Sequence, residues 1–192
     1  MSYKSAIIAY DPINAQEAND KKVILDYIAL FEHNILTRAN AFAHITSSGL
    51  ILNRSLTKML MIHHNIYQTW TWTGGHADGD SDMLYVALKE AREETGIDAI
   101  EPLMSEIASL DIIPVYGHVK NGAYVSSHLH LNTSFVLIAD EEAETTVKVD
   151  ETSDIRWVDL SEMPTHSNEP YLVEIYNKLI NRAKTRGTKE QL

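Results

Sequence analysis

The residues whose types are best suited to binding or catalysis form one segment. In this segment a Gly-rich stretch is followed by a helix that carries three glutamates. Residues 74–81 read GGHADGDS, and the predicted helix spans residues 82–95. Glu90, Glu93 and Glu94 are spaced i, i+3 and i+4, so their carboxylates project from neighbouring points of one helical face. Such a face can hold a divalent cation, because Mg²⁺ prefers oxygen ligands and binds through carboxylates together with substrate phosphates.

The same three glutamates are unfavourable for the helix by itself. Like charges at these spacings cost the helix roughly 0.2–0.5 kcal/mol per pair. They also lie in the last turn, where the helix dipole disfavours anions. A solvated acidic face is nevertheless the common alternative at a helix end, so these residue types alone do not decide between a surface and a cation site.

Composition and charge limit the classes of protein to which the chain can belong. It has 192 residues, 16 Lys and Arg against 27 Asp and Glu, a formal charge of -11 and no cysteine. The length suits one domain, and the missing cysteines exclude a disulfide scaffold, a thiolate metal site and a Cys nucleophile. The acidic balance argues against a nucleic-acid polymer as partner. Because no apolar run approaches a membrane span and no signal peptide is recognised, we expect no membrane association and a cytoplasmic location.

Hydrophobic periodicity predicts the elements that must position the Gly-rich segment. The predicted strands cover residues 41–46, 50–53, 59–63, 107–115, 130–140 and 154–158, with a turn at residues 47–49 and a loop at residues 64–81. Helices are predicted to begin at Asn19 or Asp20, after a cap at Ser81 or Asp82, and at Asn168. This order of elements predicts an α/β sandwich with a mixed sheet.

Three parts are expected along the chain. Residues 1–40 are predicted to be an N-terminal helical extension packed on the core, and residues 41–165 the main domain. Residues 166–192 are predicted to be the C-terminal helix and tail of that same domain. The apolar stripe of the extension is expected to pack on its own domain, and a homodimer formed through this stripe is the alternative.

The spacing within the Gly-rich segment resembles a family motif. Gly75, five residues, Ser81, seven residues and then residues 89–97, KEAREETGI, resemble the Nudix box, which reads G, five residues, E, seven residues and REUxEExGU with U aliphatic. The preceding residues 72–75, WTGG, also resemble the family's usual entry into the box. The resemblance covers residues 41 to about 165, which we identify as a Nudix hydrolase domain. The matching positions are Gly75, Glu90, Glu93, Glu94, Gly96 and Ile97.

This resemblance implies a Nudix-type α/β/α sandwich and a reaction. The reaction is Mg²⁺-dependent hydrolysis of a pyrophosphate bond in a nucleoside diphosphate linked to another moiety, with Mn²⁺ as a substitute metal. By position, Glu93 and Glu94 are implied as principal metal ligands, and Glu90 as a ligand or as the base that orients water. The Gly75 carbonyl is implied as a further ligand. The chemistry is consistent, because transfer at phosphorus needs neutralised oxygens and an activated water, which metal ions supply.

Two positions depart from the box. Ser81 stands where the family has a Glu, and Asp78, Asp80 or Asp82 lies close enough in sequence to replace it. Lys89 stands where the family has an Arg that holds the first Glu of the helix. Because Lys keeps the charge but lacks the bidentate fork, we expect Glu90 to be held more loosely. The efficiency of the site is affected by these changes more than the reaction.

Members of the family usually add one acidic residue from outside the box. The candidates are Glu141, Glu142, Glu144 and Glu151. Glu151 is favoured as a metal ligand and catalytic residue, because it comes just before the strand predicted at residues 154–158, in a loop that resembles the one used by several members. An ordinary loop carboxylate is the alternative.

Several other side chains are expected to contact substrate. His76 follows Gly75 and would reach a phosphate bound at the loop, as would Lys89. His128 and His130 lie on one face of a predicted strand and could line a substrate pocket; a polar strand face is favoured over metal ligation, since oxygen ligands are already at hand. Trp70 and Trp72 could stack on a nucleobase, although packing in the core is expected for at least one of them.

Two other functions stay open at this point. The departures at Ser81 and Lys89 would fit a non-catalytic module that binds or senses nucleotides, whereas the three retained glutamates favour catalysis. An enzyme similar to isopentenyl-diphosphate isomerase would share the fold, but that activity relies on a reactive Cys, which this chain lacks. A small nucleotide-type diphosphate is therefore the expected partner.

Overall fold

The computed structural model describes residues 2–65, 68–120, 122–148 and 152–189. Within these residues no helix is both long enough and apolar enough to cross a membrane. The helices are α1 (Tyr3–Ala9), α2 (Ala15–Phe31), α3 (Met83–Thr95), α4 (Met163–His166) and α5 (Pro170–Lys189). The strands are β1 (Ala43–Asn53), β2 (Lys58–His64), β3 (Thr69–Thr71), β4 (Thr73–His76), β5 (Glu101–Pro102), β6 (Ser109–Val115), β7 (His118–Lys120), β8 (Ala123–Val125), β9 (His128–Ala139) and β10 (Thr152–Asp159).

Eight of these strands form one sheet in the order β10-β2-β1-β9-β5, with β3 beside β2, β4 beside β1 and β6 beside β9. The two long central strands, β1 and β9, run parallel, whereas the neighbouring pairs are antiparallel. The predicted mixed sheet is therefore confirmed. The remaining two strands, β7 and β8, pair as a separate antiparallel hairpin.

The side chains of β1 alternate between two hydrophobic cores, one on each face of the sheet. Ile51 belongs to the core that includes Ala87 and Ala91 of α3. Leu50 and Leu52 belong to the core that includes Tyr176 and its neighbours on α5. Because successive strand residues point to opposite faces, one strand supplies both cores. Helices on both faces of a mixed sheet confirm the predicted α/β/α sandwich.

The N-terminal helices are present, but α2 begins earlier than predicted. Its first residue is Ala15 rather than Asn19 or Asp20. The side chain of Asn14 accepts a hydrogen bond of 2.8 Å from the backbone N–H of Glu17, which is an N-cap contact. The apolar pattern marks only the buried part of the helix, so it misses this polar first turn. Ile24 and Ile28 are fully buried in the core shared with α3, and a homodimer stays a prediction.

The turn predicted at residues 47–49 is wrong, because the chain continues through it as the middle of β1. The hydroxyl of Ser47 donates a hydrogen bond of 2.6 Å to the carbonyl of Met83, and the hydroxyl of Ser48 donates one of 3.0 Å to Asn132. At Gly49 a Cβ would lie 2.5 Å from a methyl carbon of Leu137. Ser47, Ser48 and Gly49 are residue types that are common in turns. Here hydrogen bonds to residues distant in sequence and the close packing at Gly49 account for them within a strand.

The helix that carries the glutamates has the bounds that the sequence predicts. Asp82 is its N-cap, accepting a hydrogen bond of 3.1 Å from the N–H of Tyr85. Gly96 ends it with a φ of 71°, a left-handed conformation that glycine adopts readily. The loop predicted at residues 64–81 is partly wrong, since it contains β3 and β4. Strand β4 pairs with β1, which fixes the Gly-Gly dipeptide beside the sheet.

Candidate active site

A cleft of about 860 Å³ lies where β1, β4 and β9 meet the last turns of α3. Its volume is in the range of pockets that hold small molecules. Both glycines of the WTGG stretch line the cleft, together with the predicted side chains His76, Lys89, Glu90, Glu93, Glu94, His128 and His130. Residues 74–94 and the beginning of β9, which are distant in sequence, therefore line the same cavity.

The glycines bring the backbone of β4 against the glutamate face of α3. The N–H of Gly74 donates a hydrogen bond of 2.9 Å to Oε2 of Glu94, whose side chain is buried. A Cβ at Gly75 would lie 2.4 Å from the carboxyl carbon of Glu90, so only glycine allows this approach. The backbone of the glycine pair therefore lies against two of the three carboxylates, those of Glu94 and Glu90.

The charge of the glutamate cluster is partly offset by two ammonium groups. The Nζ atom of Lys89 lies 3.3 Å from Oε1 of Glu90 and 3.7 Å from Oε1 of Glu93. The Nζ atom of Lys148 lies 3.9 Å from Oε2 of Glu93. The neighbouring Glu90 carboxylate raises the pKa of Lys89. Lys89 thus makes the single-point contact with Glu90 that its residue type predicts.

The chemistry of this donor set fits a hard divalent cation. The set consists of three carboxylates from one helical face and the backbone beside Gly75. All the donors are oxygens, which is the ligand type that Mg²⁺ and Mn²⁺ prefer. Two carboxylates remain accessible from the cleft, since the side chains of Glu90 and Glu93 are 14% and 45% exposed.

The acidic residues around Ser81 have other contacts in the structure. Asp78 accepts two hydrogen bonds from the guanidinium of Arg38, at 3.0 and 2.6 Å, and these bonds lower the pKa of Asp78. Asp80 accepts a hydrogen bond of 2.8 Å from the N–H of Asp82, and Asp82 caps α3. Only Asp78 of these three lines the cleft among the described residues.

A further carboxylate is expected to reach the site from outside the box. Glu151 lies outside the described residues. Glu141 forms an ion pair of 2.7 Å with Lys58, at the other end of β2 from the cleft. Glu169 was not predicted, yet it lines the cleft and accepts a hydrogen bond of 2.9 Å from the hydroxyl of Tyr171. Burial raises the pKa of Glu169.

Four histidines meet on the sheet side of the cleft. His44 of β1 is paired with His130 of β9 in the parallel register, and His128 lies two residues earlier on the same face of β9. His76 of β4 packs against this group, with its ring centre 4.9 Å from that of His44 and 5.0 Å from that of His130. The sequence predicts three of these histidines as cleft residues but misses His44.

These imidazoles lie in a weakly solvated environment. Burial lowers the pKa of His76 to about 3, and it also lowers the pKa values of His44 and His130. Burial disfavours the charged form of an imidazole. The three rings are therefore neutral at pH 7, and each has one unprotonated ring nitrogen.

The two tryptophans have different surroundings. The ring of Trp72 packs edge-on against Tyr176 with 5.2 Å between the ring centres, and its side chain is largely in the core beneath α5. Trp70 lies under the guanidinium of Arg156, whose central carbon is 4.7 Å from the ring centre. Among the described residues that line the cleft, Trp72 is present and Trp70 is not.

Three residues that line the cleft, His44, Arg38 and Glu169, are not predicted from the sequence. His44 could have been found from the alternation His44, Thr46, Ser48, which places three polar side chains on one face of a strand. Arg38 and Glu169 are isolated in sequence from the box. Their position depends on the tertiary structure, so no local pattern marks them.

No curated protein matches this chain. The dihydroneopterin triphosphate pyrophosphohydrolase of E. coli is similar in structure, with a TM-score of 0.55 and 13% identity over 72% of this chain and 95% of that one. A NUDIX-family hydrolase from Clostridium perfringens gives 0.51 and 18% over 72% and 96%. An Ap4A hydrolase of C. elegans gives 0.51 and 14% over 74% and 98%.

At these identities the solved structures show a shared fold. The family itself is shown by the sequence, because the model of the NUDIX domain matches residues 43–180. This match extends through the box and both flanking halves of the sheet, and it ends within α5. It begins where the resemblance was predicted to begin, close to residue 41, and reaches beyond residue 165. The chain belongs to the Nudix hydrolase family.

Proposed function

We propose that the protein hydrolyses a pyrophosphate bond in a nucleoside diphosphate linked to another moiety, with Mg²⁺ as cofactor and Mn²⁺ as its substitute. The observation that carries this proposal is the position of Glu90, Glu93 and Glu94 in one open cleft, where Glu94 and Glu90 lie against the backbone of Gly74 and Gly75. Three like charges at these spacings are unfavourable for the helix by itself, and a bound cation would offset their repulsion.

The proposed ligands are the carboxylates of Glu93 and Glu94, with the Gly75 carbonyl and either Glu90 or Glu151 completing the set. Bound Mg²⁺ would neutralise phosphate oxygens and lower the pKa of a coordinated water. The protein's own contribution is positional. The hydrogen bond from Gly74 fixes Glu94, and the ion pair with Lys89 fixes Glu90.

Cationic side chains of the cleft are proposed to bind the diphosphate. Lys89 and Lys148 line the cleft beside the glutamates, and Arg38 and Lys120 line the same cleft. The guanidinium of Arg38 is already oriented by its two hydrogen bonds to Asp78. Ammonium and guanidinium groups are the usual protein donors to phosphate oxygens.

A carboxylate from outside the helix is proposed to accept the proton of the attacking water. Glu151 and Glu169 are the two candidates, and Glu90 is the third if it does not bind the metal. Glu169 fits this role because it lines the cleft and its pKa is raised, which brings a carboxylate closer to the operating pH of a general base.

The test is a panel of phosphoanhydrides assayed with Mg²⁺ and with Mn²⁺. The panel should contain nucleoside diphosphate sugars, dinucleoside polyphosphates such as Ap4A, and dihydroneopterin triphosphate, since the last two are named for structures with this fold. Release of a nucleoside monophosphate or of another phosphorylated product is expected from at least one compound.

The matched variants are Glu93→Gln and Glu101→Gln. Glu93 is in the cluster, whereas Glu101 is an exposed carboxylate on β5. Loss of turnover in the first and normal turnover in the second would support the assignment. Binding of a nucleotide without turnover of any compound would instead identify a nucleotide sensor, and normal turnover in Glu93→Gln would contradict the metal assignment.

A further inference from the structure

The hydrolysis proposed above assigns no chemical step to the four histidines on the floor of the cleft. They come from three adjacent strands, β1, β4 and β9, and one ring nitrogen from each lies within 4.8 Å of the others. Neighbouring rings are separated by 4.9 to 5.3 Å between centres. The residues concerned are His44, His76, His128 and His130.

Hydrogen bonds to backbone carbonyls fix the tautomer of two of these rings. Nδ1 of His44 lies 3.0 Å from the carbonyl oxygen of Asn40, and Nδ1 of His128 lies 2.9 Å from the carbonyl oxygen of Ser126. Because a carbonyl oxygen only accepts, Nδ1 must carry the proton in both rings. Each Nε2 atom then presents a lone pair. In metal sites the same kind of hydrogen bond, donated by the ring nitrogen that does not bind the metal, orients the histidine ring.

The lone pair on Nε2 of His44 accepts no hydrogen bond from the described residues. His44 is only 4% exposed, and its Nε2 atom is buried without a hydrogen-bond partner among the described residues. A buried polar atom left unsatisfied costs about 1–3 kcal/mol. The atom is surrounded by the other three imidazoles, none of which is a fixed donor to it.

We propose that His44, His76, His128 and His130 bind one Zn²⁺ ion through their ring nitrogens. Neutral imidazole is a preferred ligand of Zn²⁺, whereas Mg²⁺ prefers oxygen, so the histidines and the glutamates would select different ions. The site does not depend on the hydrolytic activity. It extends the proposed function by placing a second, chemically distinct cation in the same cleft.

The distances fit this assignment. Four nitrogens at a Zn–N distance of roughly 2.0–2.1 Å in a tetrahedron are separated from one another by about 3.3–3.4 Å. The Nε2 atoms of His128 and His130 are 3.2 Å apart, which is already close to that edge. They form a hydrogen bond in which Nε2–H of His130 donates, so on binding an ion this proton would move to Nδ1 of the same ring. The remaining separations, at most 4.8 Å, need only small side-chain movements to close around an ion.

The electrostatic surroundings do not oppose a bound cation. Each of the four imidazoles offers one ring nitrogen to the same point, and the cluster itself contains no cationic side chain. Arg38 and Asp78, which line the same cleft, form a bidentate ion pair, so the guanidinium charge there is accompanied by a carboxylate.

The test is a zinc titration of the full chain after removal of metal with a chelator. Calorimetry and elemental analysis after dialysis should show one Zn²⁺ ion per chain, retained in an excess of Mg²⁺. Replacement by Co²⁺ should give the intense visible absorption of a tetrahedral nitrogen site. Absence of stoichiometric Zn²⁺, or its displacement by Mg²⁺, would overturn the proposal.

Variants locate the ion. His128→Ala and His130→Ala should each weaken zinc binding by about tenfold or more, since loss of a ligand exceeds the effect of losing an outer hydrogen-bond partner. His118→Ala is the matched control, because His118 lines the same cleft outside the cluster and should bind zinc normally. Circular dichroism checks that each variant is folded. If the variant of the buried residue, His44→Ala, fails to fold, His128→Ala and His130→Ala on β9 still test the site.

A further variant distinguishes zinc binding at the histidines from zinc binding at the glutamates. Glu93→Gln should leave zinc binding unchanged, because Glu93 is not a member of the histidine cluster. If Glu93→Gln abolished zinc binding while His128→Ala and His130→Ala left it intact, zinc would occupy the glutamates and the proposal would be wrong. These outcomes are independent of catalysis, so they stand even if no substrate is hydrolysed.

Discussion

The backbone N–H of Gly74 donates a hydrogen bond of 2.9 Å to Oε2 of Glu94, and this bond joins β4 to the last turn of α3. Glu94 is 4% exposed, so its carboxylate is held in place by protein rather than by water. The same carboxylate therefore has a structural role and a proposed role as metal ligand.

These two roles of Glu94 can be separated by substitution. Glu94→Gln keeps an oxygen that accepts from Gly74 but removes the charge, so the fold should be retained while turnover falls at least about a hundredfold, equivalent to roughly 2.7 kcal/mol. Glu94→Ala removes the acceptor as well and should cost a further 1–3 kcal/mol of stability, an approximate figure for a lost buried partner. Steady-state kinetics and thermal unfolding measure the two effects, and equal activity in Glu94→Gln and wild type would contradict the ligand assignment.

The adjacent glycines should respond differently to substitution by alanine. At Gly75 the new Cβ meets the mobile end of Glu90, at 2.4 Å, so the carboxylate is displaced at little cost to the fold. At Gly74 the Cβ meets the backbone of Ser47 and Ser48 at 3.0 Å, which cannot move freely. Gly75→Ala should therefore reduce kcat more than the melting temperature, and Gly74→Ala should lower the melting temperature. The reverse order would show that Glu90 is not held by this contact.

The sequence predicts those parts of the site that depend on local signals. The bounds of α3 follow from Asp82 as cap and Gly96 as terminator, and its glutamates follow from helical spacing. The interior of β1 was misread because Ser47 and Ser48 satisfy their hydroxyls with Met83 and Asn132, far away along the chain. No local pattern carries that information.

The histidine cluster shows the same limit more strongly. His128 and His130 are visible as an alternating pair, but His44 is 86 residues away from His130 and becomes its neighbour only through the parallel pairing of β1 with β9. His76 joins through the pairing of β4 with β1. The register of a sheet is a tertiary property, so single residues could be predicted as cleft residues while their convergence could not.

The substitution at the family's Arg position can be tested by restoring it. Lys89 contacts Glu90 through a single ammonium, whereas an arginine fork could make two contacts. Lys89→Arg should therefore keep or raise kcat, and Lys89→Met should lower it by about tenfold, the equivalent of roughly 1.4 kcal/mol. Lys22→Met, which removes an exposed surface pair, is the control and should not alter kcat. A faster Lys89→Met variant would show that the ammonium hinders the site.

A buried ionic network attaches α2 to the sheet and to α5. Lys178 pairs with Glu17 at 3.0 Å and with Asp111, and both carboxylates are almost completely buried. Removal of one partner leaves buried charge uncompensated, so Lys178→Met should reduce the free energy of unfolding by about 3–5 kcal/mol. Lys22→Met at the exposed pair with Asp26 should change it by less than about 0.5 kcal/mol. Denaturant unfolding of both variants checks this expectation.

The pKa of Glu17 also predicts how the free energy of unfolding depends on pH in the acidic range. Burial by itself would raise the pKa of Glu17, but hydrogen bonds from the N–H of Ile13 and from Lys178 outweigh it and lower that pKa. A carboxyl whose folded pKa is depressed stabilises the fold above its unfolded pKa and loses this contribution as the pH falls through the folded pKa. Lys178→Met should therefore flatten the acid side of the stability profile, whereas Lys22→Met should retain it.

Glu169 should produce the opposite pH dependence, because burial raises the pKa of its carboxyl in the folded state. Its contribution to stability is complete below the unfolded pKa and is lost as the pH rises through the folded one. Unfolding free energies measured across that interval should decline in the wild type and stay level in Glu169→Gln. Tyr171→Phe removes the donor to the ionised form and should extend the decline to higher pH. If Glu169 is also the general base, the acidic limb of the pH–rate profile will move upward in Tyr171→Phe. An unchanged limb in both variants would transfer that role to Glu151 or Glu90.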